Sequence, residues 1–181
     1  MPTPANAPLS MAERLDPTVH AALARSLGSL SHASALMAAS DWALHLAASP
    51  GQRMDLAHLA LRQGQEMAAY ALARMAAGPD KEARHAVAPP TQDRRFADPA
   101  WQQWPFNLMH QSFVLTEQWW AAATHGVWGV DKHHEDMVAF AARQFLDIFS
   151  PGNQVATNPV VLNRTLTQGG ANLLRGSLHL L

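Results

Sequence analysis

The stretch FNLMHQSFVLTEQWWAAATHGVW, residues 106–128, decides the fold class. Phe106, Met109, Phe113, Trp120, Thr124 and Val127 fall three, four or seven residues apart. That spacing lines one face of an α-helix, which turns once in about 3.6 residues. Met137, Phe140, Ala141, Phe145, Ile148 and Phe149 repeat the pattern, and Leu56, Leu59, Ala60, Met67, Tyr70 and Ala71 form a third stripe. Apolar stripes of this kind belong to helices that face a core. No run alternates with a period of two and enough β-branched residues to make a strand. The predicted class is all-α, without a sheet. Phe113 and Phe145 sit mid-stripe and are expected in the core. Leu108, Leu115, Trp119, Val138 and Leu146 point away from the stripes. Two helices with more than one apolar face in so small a domain are expected to meet something outside it.

Composition agrees. The 181 residues include 34 Ala and 22 Leu against 18 Val, Ile and Thr together, a balance that favours helix over strand. Thirteen Lys and Arg face 14 Asp and Glu. The two signs are evenly spread, so no basic arm exists and nucleic acid is not an expected partner. There is no Cys, which excludes disulfides, thiolate metal sites and cysteine nucleophiles within these residues. Met1 to Ser10 carries no Lys or Arg and no apolar run follows it, unlike a signal peptide. No segment approaches the eighteen or so apolar residues of a membrane span. A cytoplasmic protein is the default expectation.

Five capping residues stand before prolines: Asp16-Pro17, Ser49-Pro50, Asp98-Pro99, Ser150-Pro151 and Asn158-Pro159. A cap oxygen accepts from a free backbone N–H of the first turn, and proline at the first helical position forfeits no hydrogen bond. Each pair therefore predicts a helix start, and Gln52 after Ser49 has capping-box spacing. Residues 78–91 have no apolar period and contain Pro79, Pro89 and Pro90. They read as a linker. The expected organisation is an Ala-rich helical leader over 1–77, the linker 78–91, and a domain over 92–181. Eleven of the 13 aromatics fall in the second half, which is expected to hold the main core.

The chemistry-bearing residues are sparse. Ten His are present, densest at His133-His134-Glu135-Asp136. Neighbouring His on a helix point about 100° apart, so they do not converge on a metal. A helix start capped by Asp131, with Glu135 and Asp136 in its favourable first turn, is the preferred reading. His45, His58, His85, His110 and His179 are assigned to surface or half-buried positions, with no carboxylate or His partner at helical spacing. No nucleophile elbow, P-loop or dinucleotide fingerprint occurs, and Gly169-Gly170 reads as a break between two helices. No catalytic residue, cofactor or metal is assigned. The Trp residues are the unusual feature. Trp119 and Trp120 are adjacent and cannot share one helix face, so one must look to another element, a partner or an apolar surface. The candidate interaction surface is Trp101, Trp104, Phe106, Trp119, Trp120 and Trp128.

Several motifs in one register then resemble a known family. Asp93-Arg94-Arg95-Phe96-Ala97-Asp98-Pro99-Ala100-Trp101 is similar to the opening signature of the N-terminal domain of polyhydroxyalkanoate synthases (poly-β-hydroxybutyrate polymerases). Trp104-Pro105-Phe106, Gln111-Ser112-Phe113, Trp119, Ala142-Arg143-Gln144-Phe145, Asp147 and Ser150-Pro151-Gly152-Asn153 continue the likeness. Thr157-Asn158-Pro159 and Gly169-Gly170-Ala171-Asn172-Leu173-Leu174-Arg175-Gly176 complete it. Residues 1–90 resemble the helical leader found ahead of that domain in some members. The resemblance implies an accessory domain of an acyltransferase, with a separate α/β-hydrolase domain supplying a Cys nucleophile, an Asp and a His. None of those residues maps onto this chain, so it is expected to be inactive by itself. The implied partners are that catalytic domain, a second copy, or the surface of a polymer granule. The alternative is a stand-alone, phasin-like scaffold coating an apolar surface.

Overall fold

A computed structural model describes residues 10–26, 31–77 and 94–178. The expected linker 78–91, with Asp80, Glu82 and His85, lies outside the described residues, as does His179. The described residues are helical, without a strand. Seven α-helices run in order: α1 (Met11–Ser26), α2 (His32–Ala47), α3 (Pro50–Ala77), α4 (Phe106–Thr124), α5 (Lys132–Ile148), α6 (Pro159–Thr167) and α7 (Ala171–Leu178). Two 3₁₀ turns, Pro99–Gln102 and Pro151–Asn153, bracket α4 and α5. The all-α reading holds.

The helix starts follow the capping chemistry in part. Asp98 accepts from the Ala100 N–H at 2.9 Å, and Asn158 accepts from Val160 and Val161 at 3.0 and 3.2 Å. Asp131 caps α5 by accepting from His133 at 2.9 Å. Three expectations are corrected. Asp16-Pro17 does not open a helix: α1 starts earlier and carries Pro17 inside. Its cap is a reciprocal pair instead, Ser10 Oγ accepting from the Glu13 N–H at 3.2 Å and Glu13 Oε2 accepting from the Ser10 N–H at 2.7 Å. Ser49 precedes α3 but forms no capping box, because its hydroxyl donates back to the His45 carbonyl and Gln52 reaches Ala122. Ser150-Pro151 opens only a 3₁₀ turn and makes no side-chain cap. Gly169 and Gly170 have φ of 55° and 85°, which favours glycine, and they divide α6 from α7 as expected.

α4 is the centre of the packing. α3 runs along one side and α5 along another, while α2 lies on α5. The buried cluster is Phe96, Trp101, Phe113, Val114 and Leu146, with Phe106 and Trp120 against it. Phe96 meets Trp101 edge-on at 4.8 Å and Phe113 at 6.0 Å between ring centres. T-shaped pairs of this kind add about 0.5–1.5 kcal/mol each beyond burial.

The stripe assigned to α5 is corrected. Met137 and Leu146 are its buried residues, whereas Phe140, Phe145, Ile148 and Phe149 are 55–62% exposed. The helix presents its smaller side to the core: Val138, Ala139 and Ala142 are half-buried there. Ala38 of α2, on the helix that lies along α5, is also fully buried. Small side chains let two helices approach, and that closeness leaves the aromatics only the far side.

Candidate interaction surface

The end of α4 and the start of α5 are held by side chains from α2 and α3. The last turn of any helix leaves carbonyls without helical partners. Here Trp42 Nε1 donates to the Ala123 carbonyl at 2.8 Å, and Gln52 Nε2 to the Ala122 carbonyl at 3.2 Å. His125 Nδ1 lies 2.8 Å from the Ala121 carbonyl. One turn further, Asp41 Oδ2 accepts from the Asp131 N–H at 3.2 Å and sits 2.7 Å from His134 Nδ1. His45 Nδ1 is 3.0 Å from Asp41 Oδ1. The reading of His45 as lacking a partner at helical spacing is thus corrected, since Asp41 stands four residues before it. The His134 bond holds the Asp41 carboxyl below its usual range, with help from the Asp131 N–H and the charge of the nearby His residues, against a smaller opposing effect of desolvation. Glu135 is held low by Lys132 first and by the Gly126 N–H second. Lys132 is raised in turn, by Glu135 and then Asp136.

Several motif residues of the second half are likewise engaged in holding the fold. Arg95 donates to Glu117 at 2.8 and 2.9 Å and to Asp147 at 3.1 Å, tying the residues before the first 3₁₀ turn to α4 and α5. Its guanidinium lies 5.5 and 5.4 Å from the ring centres of Phe96 and Phe113. Asn153 donates to the Asp147 carbonyl and Asn158 to the Gly152 carbonyl, closing the turn after α5. His110 is fully buried, 5.0 Å from the Phe96 ring and 3.0 Å from Gln111 Nε2, which corrects its assignment to a surface or half-buried position.

The sequence-assigned surface residues separate into three groups. Trp101 is 1% exposed and is corrected from surface to core centre. Phe106, Trp119 and Trp120 are half-buried. Trp119 Nε1 donates to the Leu56 carbonyl of α3 at 3.1 Å, and Trp120 lies 6.4 Å from Trp42 of α2. The two adjacent indoles therefore both look to other elements of the same chain. Trp104 and Trp128 remain open, at 69% and 88% exposure. Trp128 sits between Gly126 and Gly129, both at positive φ, on the loop that joins α4 to α5.

The residues that sequence reasoning missed are the outward ones of α5. Phe145 and Phe149 lie 4.7 Å apart between ring centres. Phe149 also walls a groove with Met109, Ser112, Phe113, Thr116, Pro151, Gln154 and Thr157. Its rim hydroxyls are turned inward: Ser112 donates to Met109, Thr116 to Ser112 and Thr157 to Pro151, all to carbonyls. Gln154 donates to the Ile148 carbonyl. The groove thus offers apolar contact in preference to hydrogen bonds. In the sequence these residues are the α5 stripe itself, which reads as core until the neighbouring helices are placed. Among the described residues no three His, Asp or Glu side chains converge as metal ligands, and no helix is long and apolar enough to cross a membrane.

Comparison with known proteins points one way. The family described as the poly-beta-hydroxybutyrate polymerase (PhaC) N-terminus matches residues 92–181, and the one described as poly-beta-hydroxybutyrate polymerase N terminal matches residues 10–52. The chain is 43% identical over 91 residues to a poly(3-hydroxyalkanoate) polymerase of Methylorubrum extorquens, covering 50% of this chain and 15% of that protein. It is 35% identical over 85 residues to the poly(3-hydroxyalkanoate) polymerase subunit PhaC of Rhizobium meliloti (strain 1021), covering 46% and 14%. The match thus spans about 15% of the length of these relatives. No solved structure matches the chain.

Proposed function

Since this chain belongs, over residues 10–52 and 92–181, to the N-terminal families of the poly-beta-hydroxybutyrate polymerases, we propose that it is a non-catalytic module serving such a polymerase. It supports the catalytic part of an acyltransferase and carries no chemistry itself. The carrying observation is the pairing of that family match with an apolar outer surface in place of a reactive site. Arg95, Asp98, Phe96 and Trp101 of the signature are engaged in ion pairs, a cap and the aromatic core. The large aromatics that face outward among the described residues are Trp104, Trp128 and the phenylalanines of α5 and its cap. In this reading residues 1–77 are a leader that closes the α4–α5 junction, 78–91 a linker and 92–181 the polymerase-type domain. The half-buried Phe106, Trp119 and Trp120 are the margin of the surface. Its partners are the catalytic region, a second copy, or the polymer granule. The compartment is the cytoplasm, and no cofactor is required.

The test has two arms. Hydroxybutyryl-coenzyme A incubated with the purified chain should release no thiol above a buffer blank. Grafting residues 92–181 in place of the matched 91 residues of the Methylorubrum extorquens polymerase should keep polymer synthesis above that of the deletion. Thiol release that survives repurification, or a graft no better than the deletion, counts against the reading. A second reading is a phasin-like scaffold that coats polymer unaided, favoured by the nearly free Trp128. Polymer granules binding the chain equally well without any polymerase would favour it.

A further inference from the structure

We propose that the groove between α3 and α4 is a binding site for a small, neutral aliphatic molecule carrying one carbonyl oxygen, with Gln63 as its polar recognition group. The inference rests on this groove alone and holds whether or not the chain serves a polymerase. Three observations carry it.

The first is Gln63. Gln63, Gly64 and Met67 of α3 face Leu115, Thr116 and Trp119 of α4 across a groove of about 320 Å³. Gln63 is 9% exposed, and its Nε2 is buried without a hydrogen-bond partner. A buried donor left unmet destabilises a fold, and folded proteins keep few of them. One kept in the wall of a groove is accounted for by an acceptor that arrives from outside. The terminal torsion of a glutamine is broad, so a modest turn of the side chain brings the N–H into the groove. The second is Gly64. Glycine inside a helix costs stability relative to alanine. No positive φ requires it here, unlike at Gly126, Gly129, Gly169 and Gly170. A Cβ at Gly64 would meet nothing within 4 Å, so a side chain there would stand in the groove that the glycine keeps open. The third is the chemistry of the walls. Met67, Leu115 and Trp119 present apolar contact, and the Trp119 ring is pinned by its N–H on the Leu56 carbonyl at 3.1 Å. The hydroxyls of Ser112 and Thr116 already donate to the Met109 and Ser112 carbonyls. Among the described residues no charged side chain lines the groove, so a charged ligand would lose its hydration without a counter-ion. What fits is an apolar chain with one acceptor for Gln63 Nε2. The volume stands at the low end of the roughly 300–1,000 Å³ of small-molecule sites, which suits a short free chain. An α-helix, about 10–12 Å across and with its carbonyls already paired, suits neither the volume nor the donor.

The probe is 2-heptanone, a neutral ketone with an aliphatic tail. Titrated into the 181-residue chain and followed by NMR, it should shift the Met67 methyl and the Gln63 side-chain amide with a Kd of about a millimolar. Hexanoate, similar in size but charged, should bind about tenfold more weakly. Gln63→Met keeps the shape of the side chain and removes the donor. It should weaken ketone binding about five- to tenfold. It should also raise the melting temperature by about 2–4 °C, because an unmet polar group has left the interior. Gly64→Leu should fill the groove, keep a native circular dichroism spectrum and abolish the shifts. If that variant unfolds, Ala60→Leu on the same wall takes its place. Absence of any shift at Met67 at about ten times the expected Kd overturns the proposal. So do equal affinities of the parent and Gln63→Met, a lower melting temperature in that variant, or hexanoate bound as well as the ketone. Shifts at the exposed Trp104 and Trp128 as large as at Met67 would mean unspecific partitioning and overturn it too. Its failure leaves the module reading standing, since that reading rests on the family match and the outward aromatics.

Discussion

α4 and α5 are neighbours of similar length that both carry an aromatic stripe, yet they use those residues in opposite ways. On α4, Phe113, Val114 and Leu115 are buried, because α3, α5 and the 3₁₀ turns enclose it. On α5, three phenylalanines and an isoleucine within and just after the helix face solvent, because α2 and α4 take only its Met137–Leu146 side. The difference is one of neighbours. Hydrophobicity states that a face should be covered, and packing decides which face is covered by the same chain. A covered aromatic contributes stability; an uncovered one is available for binding.

The sharpest way to break this comparison is to truncate the enclosed helix. Phe113→Ala empties a site shared with Phe96 and the Arg95 guanidinium. It should cost about 3–5 kcal/mol. Against a typical total of about 5–15 kcal/mol, much of the fold's stability would be lost. Chemical denaturation should show the midpoint collapse. An unchanged midpoint would mean that the centre of the core lies elsewhere.

The junction between the two helices comes next. Gly129 has φ +91°, and a methyl there would stand 2.5 Å from His45 Cδ2. Gly129→Ala should therefore cost about 1–3 kcal/mol, from the strained backbone and the displaced imidazole. Gly64→Ala is the control, because nothing lies near that position on α3. Equal melting temperatures in the two variants would show that α2 does not press on the junction.

Acid probes the same junction more gently. Asp41 is held below its ordinary range in the folded state. A carboxyl lowered on folding stabilises when ionised. Its contribution is complete above the unfolded value of about 4 and is lost as pH falls through the lower folded value. Asp41→Asn should flatten the loss of stability that sets in as pH falls below about 4. Parallel acid-unfolding curves for the two proteins would remove Asp41 from the account.

How much of this was legible in the sequence depends on how local the cause is. Asp98, Asp131 and Asn158 cap helices because a side chain reaches an N–H two or three residues on, and that is readable. So is the break at Gly169-Gly170, where only a positive φ is needed. The family motifs were readable as well, and the comparisons agree with them. Asp16-Pro17 misled because Ser10, three residues before Glu13, already caps the helix. The outward side of α5 was not readable, since its two apolar faces are equivalent until α2 is placed. The same holds for Asp41 and His134, which meet across 93 positions of chain. The His45–Asp41 pair could have been found, by asking which carboxylate stands one turn back.

The smallest expected effect completes the contrast. Phe145→Ala removes the same ring as Phe113→Ala, from the same kind of helix. At 60% exposure, Phe145 has little packing to lose beyond Phe149. No cavity forms when the side chain faces water, so the cavity term that dominates core truncations is absent. The change should fall within about 0.5 kcal/mol, as for ordinary surface substitutions. Alanine's better helix propensity offsets part of even that. Measured below the concentration at which copies associate, the denaturation midpoint should equal the parent's. A loss near that of Phe113→Ala would mean that the ring is covered in solution, and that α5 has a partner the free helix face does not reveal.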